Sequence, residues 1–309
     1  MAGPKVAVVV LNWNRAPETL RCLDSLRALT YPVDVMVVDN GSTDGSAAAM
    51  RAARPDLPLL ETGANLGYAG GNNVGIRAAL GRGAQFVLVL NNDTIVQTPD
   101  LVERLLAAAA RIPNCGLVGP AMVPMERPDA EVPLRVRWRG RLVNRIALAR
   151  LRGVRDGEAA ARGLPPGAKV RVVPSLTGFA LGIFRPVLEA TEGFDASYFM
   201  YDEEHDLCLR AARLGYASVW AGDARVLRPS DPPGRSVPPY KAYYLARNRF
   251  FTAERFGAWT RAVLLALHAV NMLDLAVHLL RTGQRGSLPL LWRGVRDGLA
   301  GRRGPLVSP

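Results

Sequence analysis

Lys5-Val6-Ala7-Val8-Val9-Val10-Leu11-Asn12-Trp13-Asn14 decides the fold. Val6 to Leu11 is an unbroken apolar run, mostly β-branched, with no polar alternation. That pattern reads as a strand buried on both faces, the kind found in a parallel sheet covered by helices on both sides. The run is too short for a secretory signal. Outward from it the chain alternates. Pro17 to Leu29 has helical spacing, Val33–Val38 is a second buried strand, and Thr43 to Ala53 is a helix with Ser42 or Thr43 as its expected cap. Leu57–Leu60 gives a short strand, Ala69 to Leu80 a helix, Phe86–Leu90 a strand and Pro99 to Ala110 a helix. Strand–helix alternation with short links predicts an α/β fold with a mostly parallel sheet and helices on both faces.

After Pro120 the pattern weakens, and Pro124 to Pro174 is rich in Arg, Gly and Pro. Order returns with a strand at Gly178–Phe184, a helix at Asp202 to Arg213 and a short strand at Ala217–Trp220. Three helices are then expected, at Tyr240–Phe256, Trp259–Arg281 and Leu288–Leu299.

In a parallel sheet, ligands bind beyond the carboxyl ends of the strands. Four clusters of Asn, Asp and Gly fall there: Asn12-Trp13-Asn14, Asp39-Asn40-Gly41-Ser42, Asn65 through Asn73, and Asn91-Asn92-Asp93. Any one is an ordinary turn; four at one sheet edge point to a site. The glycines lack the order of a dinucleotide fingerprint or a P-loop. Gly67, Gly70 and Gly71 open a helix whose N–H groups would face a diphosphate. Asp93, a carboxylate at a strand end, is the expected place for a hard divalent cation. A second acidic cluster, Asp202-Glu203-Glu204-His205-Asp206, opens a helix, where the dipole favours anions and crowding raises at least one pKa.

Together these motifs resemble the family 2 inverting glycosyltransferases of GT-A fold, most of all the bacterial rhamnosyltransferase-like branch. The likeness spans about residues 5 to 220 and includes Thr177-Gly178-Phe179, Gly193-Phe194-Asp195 and Leu214-Gly215-Tyr216, with a weaker echo at Arg247-Asn248. It implies a GT-A domain over residues 1–225, with a nucleotide-sugar half at 1–120 and an acceptor half at 121–225, and a basic helical segment at 226–309. Asp39 would read the pyrimidine of a dTDP- or UDP-sugar, with Asn12, Asn14, Asn65, Gly67 and Asn91 lining the nucleoside and diphosphate. Asp93 would hold Mg²⁺ or Mn²⁺. Glu204 would be the catalytic base, with Glu203 and Asp206 supporting the acceptor site. Arg228 stands where the family often has a metal-binding histidine. The acceptor implied is a glycan, on a polyprenyl diphosphate or otherwise.

Composition agrees. The chain has 309 residues, 49% hydrophobic and 21% charged, which excludes a disordered chain. Cys22, Cys115 and Cys208 are odd in number and lack metal spacing, as fits a reduced cytosolic compartment. Arginine supplies 36 of the 39 bases, and from Lys241 onward 11 bases face 3 acids, a net +8 of the chain's +12. A basic tail suits an anionic membrane surface. The arginines from Arg135 to Arg155 would also suit nucleic acid, but no nucleic-acid fold accompanies them and no such partner is expected. The stretch Ala262 to Leu280 is broken by His268, Asn271, Asp274 and His278, so it is not read as a span. Arg261, His268, Asn271, Asp274, His278 and Arg281 fall on one polar stripe, opposite a broad apolar face. The expected location is cytoplasmic, peripheral on the inner face of the plasma membrane. The rival readings are a nucleotidyltransferase, which would need a basic Gly-rich loop after the first strand, and a non-catalytic glycan- or membrane-binding protein.

Overall fold

The structure is a computed structural model that describes residues 3–131, 151–165, 167–229 and 236–306. In chain order the elements are β1 (Val6–Asn12), α1 (Ala16–Leu26), β2 (Val33–Asp39), α2 (Ser46–Ala53), β3 (Leu59–Glu61), α3 (Gly67–Gly81), β4 (Phe86–Asn91), β5 (Ile95–Val96), α4 (Leu101–Ala110) and β6 (Cys115–Pro124). There follow α5 (Arg152–Ala161), β7 (Val170–Val173), β8 (Ala180–Phe184), α6 (Arg185–Thr191), α7 (Glu203–Arg213), β9 (Ala217–Arg228), α8 (Pro239–Glu254), α9 (Ala258–Arg281) and α10 (Leu288–Leu299).

Among the described residues the strands form one sheet in the order β3-β2-β1-β4-β8-β6-β9-β5, with β7 also on β9. β1 to β4 are mutually parallel, as the apolar runs predict. β8 enters antiparallel between β4 and β6, so the second half is mixed. The continuous runs are buried on both sides because successive residues feed different cores. Val6, Val8, Val10, Phe86, Leu88 and Leu90 pack under α1 and α4. Ala7, Val9, Val87 and Val89 pack under α3, α6 and α7.

The register brings the polar strand ends into one line: Asn12 pairs with Asp39, and Leu11 with Asn91. Helix α2 starts at Ser46 behind Gly45, with no side-chain cap; the expected cap residue Ser42 is used elsewhere, on Asn12 and Asn14. Strand β9 runs well past Trp220 to Arg228, bulging where its register against β6 shifts. Strands β5, β6 and β7 and helices α5 and α6 have no counterpart in the periodicity reading. Arg152 and Arg155 of the basic stretch lie on α5 with ion pairs to Asp156; Arg135 to Arg150 lie outside the described residues.

The C-terminal helices are built into the second half of the domain. Helix α8 buries Arg247 and Asn248 completely. The Asn248 Nδ2 amide donates to the carbonyls of Tyr198 (3.1 Å), Met200 (2.7 Å) and Tyr201 (2.7 Å). Arg247 donates to Tyr198 O at 2.9 Å and Gly304 O at 2.6 Å, ringed by Tyr243, Tyr244 and Phe251. The loop they hold needs holding: Phe199, Tyr201 and Asp202 all have positive φ, at 66°, 66° and 70°. Each costs on the order of 1 kcal/mol for a residue with a Cβ.

Helix α9 corrects the expected stripe. His268 sits in its buried seam with Leu264 and Met272, its Nε2 2.9 Å from Ala246 O, while Val270, Leu273 and Leu280 of the apolar face are exposed. By length and composition α9 is apolar enough to cross a membrane, yet its buried face packs against α8 and α10.

Asn248→Ala removes the amide that ties three strained carbonyls together. The expected result is a loss of about 1–3 kcal/mol of stability, read as a lower urea midpoint with secondary structure retained. An unchanged midpoint means the loop is held by other contacts.

Candidate active site

The strand ends of β1 and β2 build a rigid polar shelf. Thr19 Oγ1 donates to Asn12 Oδ1 at 2.7 Å, and Asn12 Nδ2 donates to Asp39 Oδ1 at 2.8 Å and to Ser42 Oγ at 3.0 Å. Asp39 Oδ2 accepts the Ser42 N–H at 3.0 Å. Asn14, at φ 54°, accepts the Thr43 N–H on its Oδ1 at 2.8 Å and donates its own N–H to Ser42 Oγ at 2.9 Å. Asn12 and Asp39 are buried. Asn12 therefore positions Asp39, and removing Asp39 would take an acceptor from the buried Asn12 amide and from the part-buried Ser42 N–H.

The glycine-rich segment makes a set of contacts within the protein. The Gly67 N–H donates to Asn65 Oδ1 at 2.8 Å, the Leu66 N–H to Asn40 Oδ1 at 3.1 Å, and the Ala69 N–H to Phe199 O at 3.2 Å. These amides at the start of α3 are committed within the protein. Gly67 has φ +72°, and a Cβ there would lie 2.2 Å from Phe199 O, so only glycine lets α3 touch the strained loop. Asn73 clamps Phe194 from both sides, donating to its carbonyl at 2.7 Å and accepting its N–H at 3.0 Å. Tyr68 Oη donates to Gly178 O. The motif is thus a seam joining the two halves of the domain.

Asn91, Asn92 and Asp93 are half-buried at the end of β4. Asn92 Nδ2 reaches Thr19 Oγ1 at 3.1 Å, tying this strand end to the shelf. Asp93 is forked by Arg228 from the end of β9: Nε lies 3.2 Å from Oδ1 and 3.1 Å from Oδ2, and Nη2 3.1 Å from Oδ2. Among the described residues no three His, Cys, Asp or Glu side chains gather to hold a metal ion. The Arg228 guanidinium already meets both Asp93 oxygens, so a divalent ion there would have to displace that pairing.

The acidic cluster splits by environment. Asp206 is fully buried between Arg210 (2.6 Å) and Arg255 (2.8 Å), with Tyr198 Oη donating at 3.3 Å. It locks α7 to the end of α8. Asp202 pairs with Arg249 at 3.0 Å. Glu203 Oε2 and Glu204 Oε2 are shut off from solvent with no hydrogen-bond partner, although Glu204 as a residue is only half-buried. Burial raises both carboxyls: Glu203 well above the usual range, with the Glu204 charge adding to it, and Glu204 to about 7, with the Asp202 charge adding to it. Each carboxyl acts on the other's titration, and burial keeps a proton on the pair. A carboxyl poised near neutrality in such a pair is the equipment of a general base. Burial lowers His205 to about 4; its neutral ring lies 3.0 Å from Ser175 Oγ.

Tyr68, Tyr201 and Arg249 stand beside the acidic cluster and were not singled out by the motif reading. Burial raises the Tyr68 phenol well above its ordinary value, the Glu203 and Glu204 charges raise it further, and Arg228 opposes them. Glu203, Glu204 and Arg228 all lie close enough to act on this one phenol. Tyr68 lies in a quoted motif and carried a signal; Arg249, beyond the strands, carried none.

The glycosyl transferase family 2 sequence model matches residues 7–153. The chain is 33% identical over 271 residues to the N-acetylglucosaminyl-diphospho-decaprenol L-rhamnosyltransferase of Mycobacterium tuberculosis, covering 83% of this chain and 87% of that one. It is 28% identical to the low-salt glycan biosynthesis hexosyltransferase Agl10 of Haloferax volcanii, over 80% of this chain and 75% of the relative. Among solved structures, a mannosyltransferase from Pyrobaculum calidifontis in complex with GDP-Man and Mn²⁺ superposes with TM-score 0.60 at 22% identity, covering 96% of this chain and 87% of that one. TarS 1–349 of S. aureus with UDP-GlcNAc superposes with TM-score 0.57 at 16% identity, covering 96% and 81%. These likenesses bear out the GT-A architecture.

The raised Glu204 carboxyl has a cost in stability. Its folded pKa lies above the ordinary 4.5, at about 7, so its contribution is fully present below the lower figure and is lost as pH rises through the higher. Glu204→Gln removes that loss. Between about pH 4 and pH 8 the variant should gain roughly 3 kcal/mol on the wild type, at ~1.4 kcal/mol per pKa unit. Parallel stability–pH curves would place Glu204 in an ordinary solvated setting.

Proposed function

The chain belongs to glycosyl transferase family 2 and is a glycosyltransferase; from that premise we propose that it moves a sugar from a nucleoside-diphosphate donor to a lipid-linked glycan, inverting the anomeric carbon. The observation that carries the mechanism is the Glu203–Glu204 pair. Glu204, near neutral pKa beside Glu203, takes the proton of the acceptor hydroxyl as its oxygen attacks C1. The C1–O bond to the diphosphate breaks on the opposite face. The shelf of Asn14, Asp39 and Ser42 seats the nucleoside, and Asn91 lies beside the diphosphate. Supports for this orientation are the register that lines up Asn12, Asp39 and Asn91, and the Tyr68 phenol that senses both glutamates and Arg228.

We take the donor to be dTDP-rhamnose, with UDP-sugars as the competing class, and the acceptor to be a polyprenyl-diphosphate-linked sugar, in cell-surface polysaccharide synthesis. The support is the likeness to the mycobacterial rhamnosyltransferase over most of both chains. An acceptor of that kind sits in a membrane, and the C-terminal helices offer a face for one. Trp259, Leu273, Trp292 and Leu299 are exposed at 67%, 62%, 56% and 71% on a segment of net +8. The proposed location is cytoplasmic, peripheral on the inner leaflet.

The test is transfer from dTDP-rhamnose to a polyprenyl-diphospho-N-acetylglucosamine, with UDP-sugars in parallel and the product's anomeric configuration read by NMR. Glu204→Gln should bind donor normally while transfer falls about 10²–10⁴-fold, the usual worth of a general base. The wild-type rate should climb as pH passes through about 7, following ionisation of Glu204. Near wild-type transfer by Glu204→Gln, with loss in Glu203→Gln, would move the base to the neighbour. Retention of configuration would reject the mechanism.

Binding to anionic vesicles should weaken as salt rises, because surface charge is screened. Trp259→Ala with Leu273→Ala should reduce it at every salt concentration. Equal co-sedimentation with neutral and anionic vesicles would reject the electrostatic part.

A further inference from the structure

The cleft holds a cation where the sequence leads one to expect a metal. Arg228 closes β9, its carbonyl accepting the Met125 N–H at 3.0 Å and its guanidinium lying over the Phe179 ring, 6.0 Å from the centroid. The Phe179 carbonyl in turn accepts the Asn91 N–H at 2.9 Å. Both partners of the fork are about one-third exposed, at 34% for Arg228 and 31% for Asp93, and so open to the cleft. A divalent ion on Asp93 would sit within ~2.0–2.6 Å of its oxygens, against a fixed positive charge that already holds both of them. The Asp93–Arg228 pair is neutral as a unit and offers a metal no net attraction. Toward a diphosphate it offers a different thing: a guanidinium has five N–H donors, more than one carboxylate edge engages, and it matches phosphate oxygens in shape.

We propose that Arg228, aimed and held by Asp93, neutralises the donor's diphosphate in place of a divalent cation, so that donor binding and transfer require no metal. The inference rests on the glycosyltransferase reading above and specifies how its leaving group is stabilised. In the transfer step the acceptor oxygen forms its bond to C1 and gives its proton to Glu204. The C1–O bond breaks, and its electron pair stays on the terminal diphosphate oxygen. Arg228 keeps its protons throughout and meets the charge that develops there. Asp93 is then a positioning residue, not a ligand.

The experiment is calorimetric titration of the full chain with dTDP and with UDP, each in EDTA and in Mn²⁺ or Mg²⁺, alongside the transfer assay under the same conditions. The expected result is that one of the two nucleotides binds with an affinity that EDTA leaves within about twofold, with transfer likewise unaffected. Arg228→Ala should weaken that nucleoside diphosphate by about tenfold or more, the usual scale of a charged hydrogen bond, and should weaken the matching monophosphate much less. Arg228→Lys, which keeps the charge without the fork, should fall between. Arg228→His supplies an imidazole that can ligate a metal beside the freed Asp93, and should make binding depend on Mn²⁺. Thermal melts of the variants separate lost binding from lost folding. Wild-type binding that appears only with Mn²⁺ or Mg²⁺ overturns the inference and leaves the glycosyltransferase reading standing. Binding of neither nucleotide under any condition overturns both.

Discussion

The side-chain amide of Asn248 carries the acid-bearing half of this protein. It donates to three carbonyls of a loop in which Phe199, Tyr201 and Asp202 all adopt left-handed backbone. Without that anchor the loop would relax toward conformations that residues with a Cβ prefer, and α7 would start elsewhere. Glu203 and Glu204 open that helix, so the pocket that shifts their titration depends on a residue some 45 positions downstream. Gly67 supports the same loop from the other side, by the close approach of α3 to Phe199. Strain at the site is balanced by contacts drawn from both ends of the chain.

The acids around the site show how environment assigns roles to like groups. Asp206 lies between two guanidinium groups and accepts from Tyr198, which makes it a bolt between α7 and α8. Asp202 has Arg249. Glu203 and Glu204, in the same turn, have outer oxygens with neither solvent nor donor, and burial without compensation keeps a proton on the pair up to about neutral pH. A bolt and the proposed base differ here only in which side of one helix turn they leave. Asp93 repeats the theme: a strand-end carboxylate becomes a holder for Arg228 because β9 runs far enough to bring a guanidinium to it.

The α3 seam explains why the Asn- and Gly-rich motif reads like a ligand loop and behaves as a joint. Asn73 and Gly67 spend their hydrogen-bonding and conformational freedom on Phe194 and Phe199. A site between two half-domains needs its walls fixed to within fractions of an ångström, and side-chain amides that bond backbone on both sides do that.

The sequence by itself determined the four parallel strands, the helices that cover them and the edge where their polar ends meet. Those features follow from local periodicity: a strand buried on both faces must be apolar at every position, and its turn must be polar where it leaves the sheet. The same logic located Asp39, Asp93 and the glutamates, since unusual residue types at strand and helix ends are visible one by one. Only the tertiary structure decided which of those residues face the cleft. β5 and β7 escaped notice because strands of two and four residues carry too little period to read, and β6 because Gly116, Gly119 and Pro120 interrupt its apolar run. His268 was read only as part of a polar stripe because the partner helices that bury it are set by long-range packing. Whether an acid meets arginine, another acid or nothing depends on chain segments brought together from over a hundred residues apart, as Asp93 and Arg228 are, and no local pattern encodes that meeting.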